Sequence, residues 1–317
     1  MNINNLTPVS FGTASIAGLY QAVGLKQAFE TLETAWDGGI RYFDTAPHYG
    51  QGKAERILGD FLRDKPDDSY VISTKVGRLL SPSAQPISQL NGFVDPLPFD
   101  QRYDYSYDGI MRSVEDSYQR LGLNKIDILY VHDIGERTHK EDSDRTLNQL
   151  LEGGGRALDQ LRSDGSIQAV GLGVNEVEVC EQLIGKIHLD LILLAGRYTL
   201  LDRTAELNLL PLCQQHSIKL VIGGVFNSGI LATGAVEGAH WDYGSPPESV
   251  IQRVNELEQI CESHGTTLAN ASLAFPVRHP LVVSVLLGNS GSKRLRDNLA
   301  GLKSPVTDPE FWKRIEE

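Results

Sequence analysis

The 317-residue chain has few cysteines, few methionines and no long apolar run. Its three cysteines, Cys180, Cys213 and Cys261, are far apart in the sequence, so they indicate neither a disulfide framework nor a metal site. We expect them to be buried free thiols. The longest apolar stretches, near 191–195 and 282–287, have the length of a strand and are too short to cross a bilayer.

The chain also lacks an excess of positive charge. Its 29 Lys and Arg residues stand against 41 Asp and Glu residues, which gives a net charge of −12. A nucleic-acid partner would require a basic face, so the acidic balance argues against this class of partner. The first residues show no basic segment followed by an apolar run, and no secretory signal is predicted. We therefore expect a soluble cytoplasmic protein that acts on a small molecule and has no membrane partner.

Short apolar strands alternate with longer amphipathic helices along the whole sequence. No glycine-rich fingerprint turn follows the first strand, so the pattern favours a barrel over a doubly wound sheet. The sequence therefore predicts an α/β protein with one domain, a (β/α)8 TIM barrel over residues 1–317. The strands are predicted at 9–12, 40–44, 70–75, 126–132, 169–174, 190–195, 219–223 and 281–287. The helices are predicted at 25–37, 55–62, 107–121, 147–163, 176–184, 205–216, 247–263 and from 293 onward.

The segment 76–106 is long and rich in proline, serine, aspartate and aromatic residues. A loop of this length in a compact domain is more often functional than idle. We expect it to close the barrel mouth with Phe93, Tyr103 and Tyr105, together with the later loop that carries Phe226 and Trp241.

Four polar side chains lie at or just after the ends of early strands. Asp44, Lys75 and His132 end predicted strands two, three and four, and Tyr49 lies on the loop after Asp44. Each residue alone has a structural explanation, as a turn cap, a surface lysine, a core histidine or a packed tyrosine. Because the active sites of barrels lie at the C-terminal ends of the strands, the four together predict one catalytic cluster.

The cluster has a consistent proton chemistry. A free phenol has a pKa of about 10, and a nearby ammonium lowers the pKa by favouring the phenolate. A carboxylate would keep that ammonium charged and in place. The phenol could then exchange a proton with a substrate hydroxyl or carbonyl, while the imidazole hydrogen-bonds the same oxygen. Such a reaction needs a hydride carrier, and a nicotinamide cofactor is the obvious candidate.

The same residues belong to motifs that resemble the aldo-keto reductase family over essentially the whole chain. The matching segments are 39–46 with Tyr49-Gly50, Ser73-Thr74-Lys75, Leu121-Gly122 through Asp127 to His132, 171–175 and 294–298. The resemblance implies that Tyr49 is the general acid and base, that Lys75 and Asp44 tune it, and that His132 orients the substrate oxygen.

The resemblance also implies a cofactor site. Asn175 would bind the nicotinamide carboxamide, and Arg294, Asp297 and Asn298 would hold the adenosine end. The chain departs from the family pattern at three places. Val174 precedes the asparagine where serine is common, the family's glutamine is replaced within 195–198, and the stacking aromatic falls at Gly223 or Gly224, which leaves Phe226 as its substitute.

Within the family, three segments are similar to a branch of bacterial sugar dehydrogenases. These segments are 95–99 with 105–109, 111–113, and 226–231. This likeness implies NAD(P)-dependent oxidation of the anomeric hydroxyl of an aldose such as L-fucose, D-arabinose or L-galactose to a lactone. Arg294 could pair with a 2′-phosphate, but Gly288 stands where many NADP-dependent relatives carry lysine, so NAD is expected and NADP is possible.

Two alternatives remain open from the sequence. One is oxidation of pyridoxal, whose hemiacetal presents a similar ring carbon with a hydroxyl group. The other is a non-catalytic, nicotinamide-binding regulatory subunit on the same fold, as in the potassium-channel β-subunits, because a fold alone does not define a function.

Overall fold

Eight parallel strands form the centre of the molecule. A computed structural model describes residues 6–85, 87–242, 244–303, 306 and 308–316. The strands are β1 (Val9–Gly12), β2 (Tyr42–Asp44), β3 (Val71–Val76), β4 (Ile128–His132), β5 (Ala169–Val174), β6 (Leu191–Ala195), β7 (Lys219–Gly223) and β8 (Val282–Leu287). They close in the order β1-β8-β7-β6-β5-β4-β3-β2. This closed parallel barrel confirms the predicted fold, and each strand lies within two residues of its predicted position.

Helices surround the barrel. They are α1 (Leu25–Asp37), α2 (Lys53–Leu62), α3 (Tyr107–Leu121), α4 (Glu136–His139), α5 (Ser143–Gln149), α6 (Gly155–Ser163), α7 (Glu178–Leu183), α8 (Leu209–Gln215), α9 (Ile230–Thr233), α10 (Glu248–Ser263), α11 (Leu268–Val277), α12 (Ser292–Leu302) and α13 (Pro309–Glu316). Among the described residues, no helix is both long enough and apolar enough to cross a membrane.

The helix prediction missed α4, α9, α11 and α13, and it misplaced the start of the helix at 147–163. Helix α11 was missed because the sequence of this buried helix is apolar on nearly every side, so it shows no amphipathic stripe. The predicted helix 147–163 begins earlier and contains a π-helical turn at Leu150–Gly154. At Gly154 a Cβ atom would lie 2.2 Å from the carbonyl oxygen of Tyr105, so the glycine permits this close backbone approach.

The segment after β3 is not an irregular loop. Arg78–Pro82 pairs antiparallel with Phe99–Tyr103, and the shorter Gln89–Leu90 pairs with Phe93–Val94. The prediction of a loop over 76–106 was therefore wrong where these two strand pairs form. The first of these pairs, called here the mouth hairpin, begins two residues after β3 ends and so lies next to the C-terminal ends of the strands.

The barrel has two apolar layers because neighbouring residues of a strand face opposite sides. Phe43 and Leu129 pack outward in the larger core against the helices. Tyr42, Ile128 and Tyr130 point into the barrel, where they form a separate interior cluster. The same alternation directs Asp44, Lys75 and His132 inward, at the end of the barrel where the strands terminate.

Two glycines on β5 make room for these inward side chains. A Cβ atom at Gly173 would lie 3.2 Å from Cε of Lys75, and one at Gly171 would lie 2.8 Å from the ring of Tyr130. Both distances are shorter than ordinary van der Waals contacts. The segment 171–175 therefore has a physical role in the barrel, which is to leave space for a lysine and a tyrosine from neighbouring strands.

Replacing Gly171 with alanine should destabilise the barrel. The new Cβ atom would lie 2.4 Å from the carbonyl oxygen of Leu191, a backbone atom that cannot move aside. We expect a loss of about 1–3 kcal/mol in the free energy of unfolding, measured by urea denaturation, as for other overpacked cores. Gly223→Ala is the control, because its Cβ would meet no atom closer than 3.6 Å. Equal stability of the two variants would contradict this packing argument.

Candidate active site

A buried ion pair lies at the centre of the barrel mouth. Nζ of Lys75 is 2.6 Å from Oδ2 of Asp44 and donates a second hydrogen bond to the carbonyl oxygen of Thr45 at 3.0 Å. The Lys75 side chain is 1% exposed and that of Asp44 is fully buried. Burial lowers the pKa of Lys75, but the charges of Asp44 and Tyr49 outweigh it, so the pKa is raised overall. The ammonium is therefore charged at neutral pH.

A chain of hydroxyl groups supports the carboxylate from below. The Ser73 hydroxyl donates to Oδ1 of Asp44 at 2.7 Å, and the Tyr42 hydroxyl lies 3.1 Å from Oγ of Ser73 and 2.9 Å from the Tyr130 hydroxyl. Burial raises the pKa of Asp44, while Lys75 and Ser73 oppose this rise. Both carboxylate oxygens are thus hydrogen-bonded, which a buried charge requires.

Tyr49 lies above the ion pair, with its ring centroid 4.7 Å from Nζ of Lys75. Burial raises the pKa of the phenol to about 12, although the Lys75 charge acts in the opposite direction. We expected the pKa to be lowered overall, and this was wrong because desolvation of the phenolate outweighs the nearby ammonium. Lys75 still lowers the pKa of Tyr49, relative to the higher value that burial alone would give.

His132 completes the cluster. Its imidazole centroid is 6.0 Å from that of Tyr49, and the Tyr105 hydroxyl donates to its backbone carbonyl at 2.7 Å. Burial holds the pKa of His132 well below its usual range, and the charges of Arg78 and Lys75 lower it further. The imidazole is therefore neutral. The structure thus brings together all four residues that we predicted from the strand ends.

Four further polar residues, not predicted from the sequence, lie around the imidazole. The mouth hairpin contributes Arg78 and Gln101, and the loops after β2 and β4 contribute His48 and Asp133. Burial and the Arg78 charge lower the pKa of His48 to about 3. The only sequence signal for these four residues was the length of the segment after β3, because their contacts join residues that are far apart in the chain.

Three of the four predicted residues border a cavity of about 420 Å³. Tyr49, Lys75 and His132 line it, and Asp44 lies beneath Lys75. Of the aromatic residues predicted to close the mouth, Phe93 lines this cavity. The others do not: Tyr105 is buried behind His132, Tyr103 packs against Tyr105 and His139, and Trp241 packs against the outer core. The remaining lining residues are Ala14, Leu19, Tyr20, His48, Asn91, Gly92, Asp133, Gly173, Val174, Asn175, Leu193 and Ala195.

A larger cleft of about 960 Å³ adjoins this cavity and extends toward α12. Tyr49, Leu193 and Ala195 border both spaces, so the phenol lies at their junction. Three of the predicted cofactor residues, Phe226, Arg294 and Asp297, line the cleft. The structure places the other two predicted cofactor residues elsewhere: Asn175 lines the smaller cavity, and Asn298 is buried and donates to Oδ1 of Asn289 at 3.4 Å.

The cleft suits an elongated anionic ligand. Its far end is formed by Gly288 to Gly291 and by the first turn of α12, where no side chain caps the backbone N–H groups. Free N–H groups at a helix N-terminus bind phosphates, and Lys293 and Arg294 add positive charge there. The cleft also passes Phe226, whose ring can pack against a planar group. The residues present thus fit a nicotinamide dinucleotide, which Phe226, Lys293 and Arg294 would hold.

The departures from the family pattern have structural consequences. Ala195 stands at the junction of the two spaces and offers no hydrogen bond there. Arg197 points elsewhere: its Nε donates to the carbonyl oxygen of Asn175 at 2.8 Å, and its other nitrogens pair with Asp202 and Asp242. Arg197 thus holds the backbone of Asn175 without entering the cavity.

A parallel barrel with this cluster beside a dinucleotide-sized cleft defines a nicotinamide-dependent oxidoreductase. Comparisons with known proteins agree, since the model of the aldo/keto reductase family matches residues 8–317. Pyridoxal 4-dehydrogenase from Microbacterium luteolum is 46% identical over 317 residues, which cover 97% of this chain and 92% of that protein. D-threo-aldose 1-dehydrogenase from a Pseudomonas species is 37% identical over 316 residues, which cover 98% and 93%.

The fold is shared with solved structures as well. An aldo-keto reductase from Bacillus halodurans superimposes with a TM-score of 0.75 at 22% identity, over 98% of this chain and 91% of that chain. The chain belongs to the aldo/keto reductase family, as its motifs indicated.

Removing Arg294 should weaken binding of a nicotinamide dinucleotide. The side chain lines the cleft in the first turn of α12, so Arg294→Ala would remove one charge-assisted contact to a phosphate. We expect the Kd for NADH, measured by fluorescence titration, to rise roughly tenfold. Arg296→Ala is the matched control, because Arg296 lies on the same helix and instead donates to Thr34. Equal effects in the two variants would contradict the assigned position of the cofactor.

Proposed function

We propose that the protein is an NAD-dependent dehydrogenase that oxidises the hydroxyl-bearing carbon of a cyclic hemiacetal to a lactone, with pyridoxal as the leading substrate. The observation that carries this proposal is the position of the Tyr49 phenol at the junction of a ring-sized cavity and a dinucleotide-sized cleft. A group at this junction contacts a substrate oxygen on one side and the hydride acceptor on the other.

In the proposed reaction the hydroxyl proton leaves to Tyr49 as the carbon loses hydride, and the carbon–oxygen single bond becomes a carbonyl. An oxidised nicotinamide supplies the hydride acceptor. Lys75 stays charged through its pairing with Asp44, so it stabilises the phenolate that must receive the proton. His132 is neutral and hydrogen-bonds the same substrate oxygen.

The cavity supports a single-ring substrate. Its volume of about 420 Å³ lies at the lower end of ordinary ligand sites. Phe93, Leu19 and Leu193 give it apolar walls that suit the faces of an aromatic ring. The likeness to pyridoxal 4-dehydrogenase at 46% identity supports the same choice.

An aldose is the second candidate. Asp133 and Asn91 also line the cavity and could hydrogen-bond the hydroxyl groups of L-fucose, D-arabinose or L-galactose. The likeness to D-threo-aldose 1-dehydrogenase at 37% identity supports this reading. From the sequence alone we ranked aldoses as the first candidate substrates. We now rank pyridoxal first, because the chain is more similar to the pyridoxal enzyme than to the aldose enzyme.

The proposed preference for NAD rests on the far end of the cleft. Gly288 lines it without a side chain, and Asp297 and Arg294 both line the same cleft. The additional 2′-phosphate of NADP would be attracted by the charge of Arg294 and repelled by the charge of Asp297. We therefore expect NADP to be tolerated and NAD to be preferred.

A substrate panel tests the proposed function. Purified protein is mixed with NAD or NADP and with pyridoxal, L-fucose, D-arabinose or L-galactose, and formation of reduced nicotinamide is followed by absorbance. We expect kcat/KM to be highest for pyridoxal with NAD and measurable for at least one aldose. Turnover of aldoses alone would reverse the substrate order. Tight cofactor binding without turnover of any of these compounds would favour the regulatory-subunit alternative.

Replacing Tyr49 with phenylalanine should remove proton transfer. Because the pKa of Tyr49 is raised to about 12, the phenol is protonated at neutral pH, and the phenolate fraction needed for oxidation grows as the pH rises. The wild-type oxidation rate should therefore increase from pH 7 to pH 10, whereas reduction, which uses the phenol, should not. Tyr49→Phe should lower kcat by roughly a hundredfold or more and abolish this increase.

The matched control for Tyr49→Phe is Tyr103→Phe, which removes a phenol from the mouth hairpin outside the cavity. This control should keep both the wild-type kcat and the wild-type pH profile. A pH-dependent oxidation rate that survives in Tyr49→Phe would remove Tyr49 from the proton-transfer step.

A further inference from the structure

Arg78 is a buried cation that the mouth hairpin places behind the substrate cavity. Its side chain is 5% exposed, and its NH2 group donates a hydrogen bond to Oδ2 of Asp133. Its NH1 group lies 3.1 Å from Oε1 of Gln101 and 3.1 Å from Nδ1 of His48. These contacts fix the guanidinium on three sides, so the carboxylate that it holds is fixed as well.

Asp133 lies between this guanidinium and the imidazole of His132. Its backbone N–H donates to the carbonyl oxygen of Gly173 at 2.9 Å, and its φ of +45° turns the chain sharply just after β4. This turn brings Oδ2 of Asp133 to 3.3 Å from Nε2 of His132. Asp133 and His132 both line the substrate cavity.

The two ring nitrogens of His132 have different surroundings. Nδ1 is buried and has no hydrogen-bond partner among the described residues, whereas Nε2 faces a carboxylate oxygen. A neutral imidazole carries its proton on only one nitrogen. An N–H at Nε2 is attracted by the carboxylate, while a lone pair there would be repelled by it. The neighbourhood of His132 therefore favours the proton on Nε2.

We propose that Asp133, held in place by Arg78, fixes His132 as the Nε2–H tautomer, whose N–H is shared between the carboxylate and the substrate oxygen once substrate is bound. Asp133 and Arg78 are positioning residues in this scheme. The step from tautomer to catalysis rests on the proposed function, in which His132 hydrogen-bonds the reacting oxygen. The tautomer itself is a property of the protein without substrate.

The charges around the imidazole keep it neutral, so the position of its single ring proton is the property that can change. Lys75, Arg78 and His48 act against protonation of His132, and Asp133 is the carboxylate that faces it. The ring therefore has one proton to place at neutral pH, and its position decides whether Nε2 donates or accepts.

Asp133→Asn tests the proposal. An asparagine tolerates the positive φ, and its amide can turn its oxygen to Arg78 and its NH2 group to His132. The NH2 group would then donate to Nε2 and shift the ring proton to Nδ1. In 15N-histidine-labelled protein, two-bond 15N–1H correlation spectra should show Nε2–H in the wild type and Nδ1–H in the variant, with the His132 signals assigned by their loss in His132→Gln.

We expect kcat to change together with the tautomer of His132. We expect Asp133→Asn to lower kcat by roughly ten- to a hundredfold with a smaller change in KM, because the lost contact is a donor to the reacting oxygen. Asp133→Gly keeps the turn without any group that faces Nε2, and should leave a mixture of both tautomers with an intermediate kcat. Asp100→Asn removes an exposed carboxylate from the mouth hairpin and should change neither quantity.

The two readouts separate the inference from the proposed function. An Nε2–H tautomer that persists in both Asp133→Asn and Asp133→Gly would overturn the inference, whatever the turnover. A tautomer that responds to Asp133 in a protein that turns over neither pyridoxal nor any aldose would support the inference and contradict the proposed function.

Discussion

The ion pair between Lys75 and Asp44 is the interaction on which the barrel mouth depends. An ammonium that is almost fully buried is tolerated only when its charge and its hydrogen bonds are matched, and loss of one partner of such a pair costs on the order of 3–5 kcal/mol. Thr45 and Ser73 complete the hydrogen bonds, and Gly173 leaves the space that the lysine chain fills. One electrostatic requirement thus constrains β2, β3 and β5 together.

The four clustered side chains could be predicted because they depend on local sequence. Asp44, Lys75 and His132 each follow or end a short apolar strand, and parallel strands of a barrel place such ends on the same face. The eight strands were found for the same reason. The net pKa of Tyr49 could not be predicted, because it depends on how deeply the phenol is buried, and burial is set by Phe93 and His132 from other parts of the chain.

The mouth hairpin and the polar residues around His132 were not predicted, because they depend on pairing between distant parts of the chain. The mouth hairpin lies in a stretch rich in proline and polar residues, with none of the regular alternation that identifies a strand. Arg78 and Gln101 meet only because this hairpin pairs in a particular register, and Asp133 meets them only because β4 ends beside β3. The residues that surround His132 therefore become visible only in three dimensions.

The distribution of charge also limits the class of substrate. Among the described residues that line the substrate cavity, Lys75 is the one lysine or arginine, and it is already paired with Asp44. Arg78, behind the wall, is paired with Asp133. A phosphorylated substrate would find no cation to replace its hydration, so the cavity favours an uncharged or zwitterionic ring. The proposed reaction would carry the same restriction, because a phosphate on the 5′-oxygen of pyridoxal blocks the hydroxyl that closes the hemiacetal, and only the unphosphorylated form offers a ring carbon that can become a lactone.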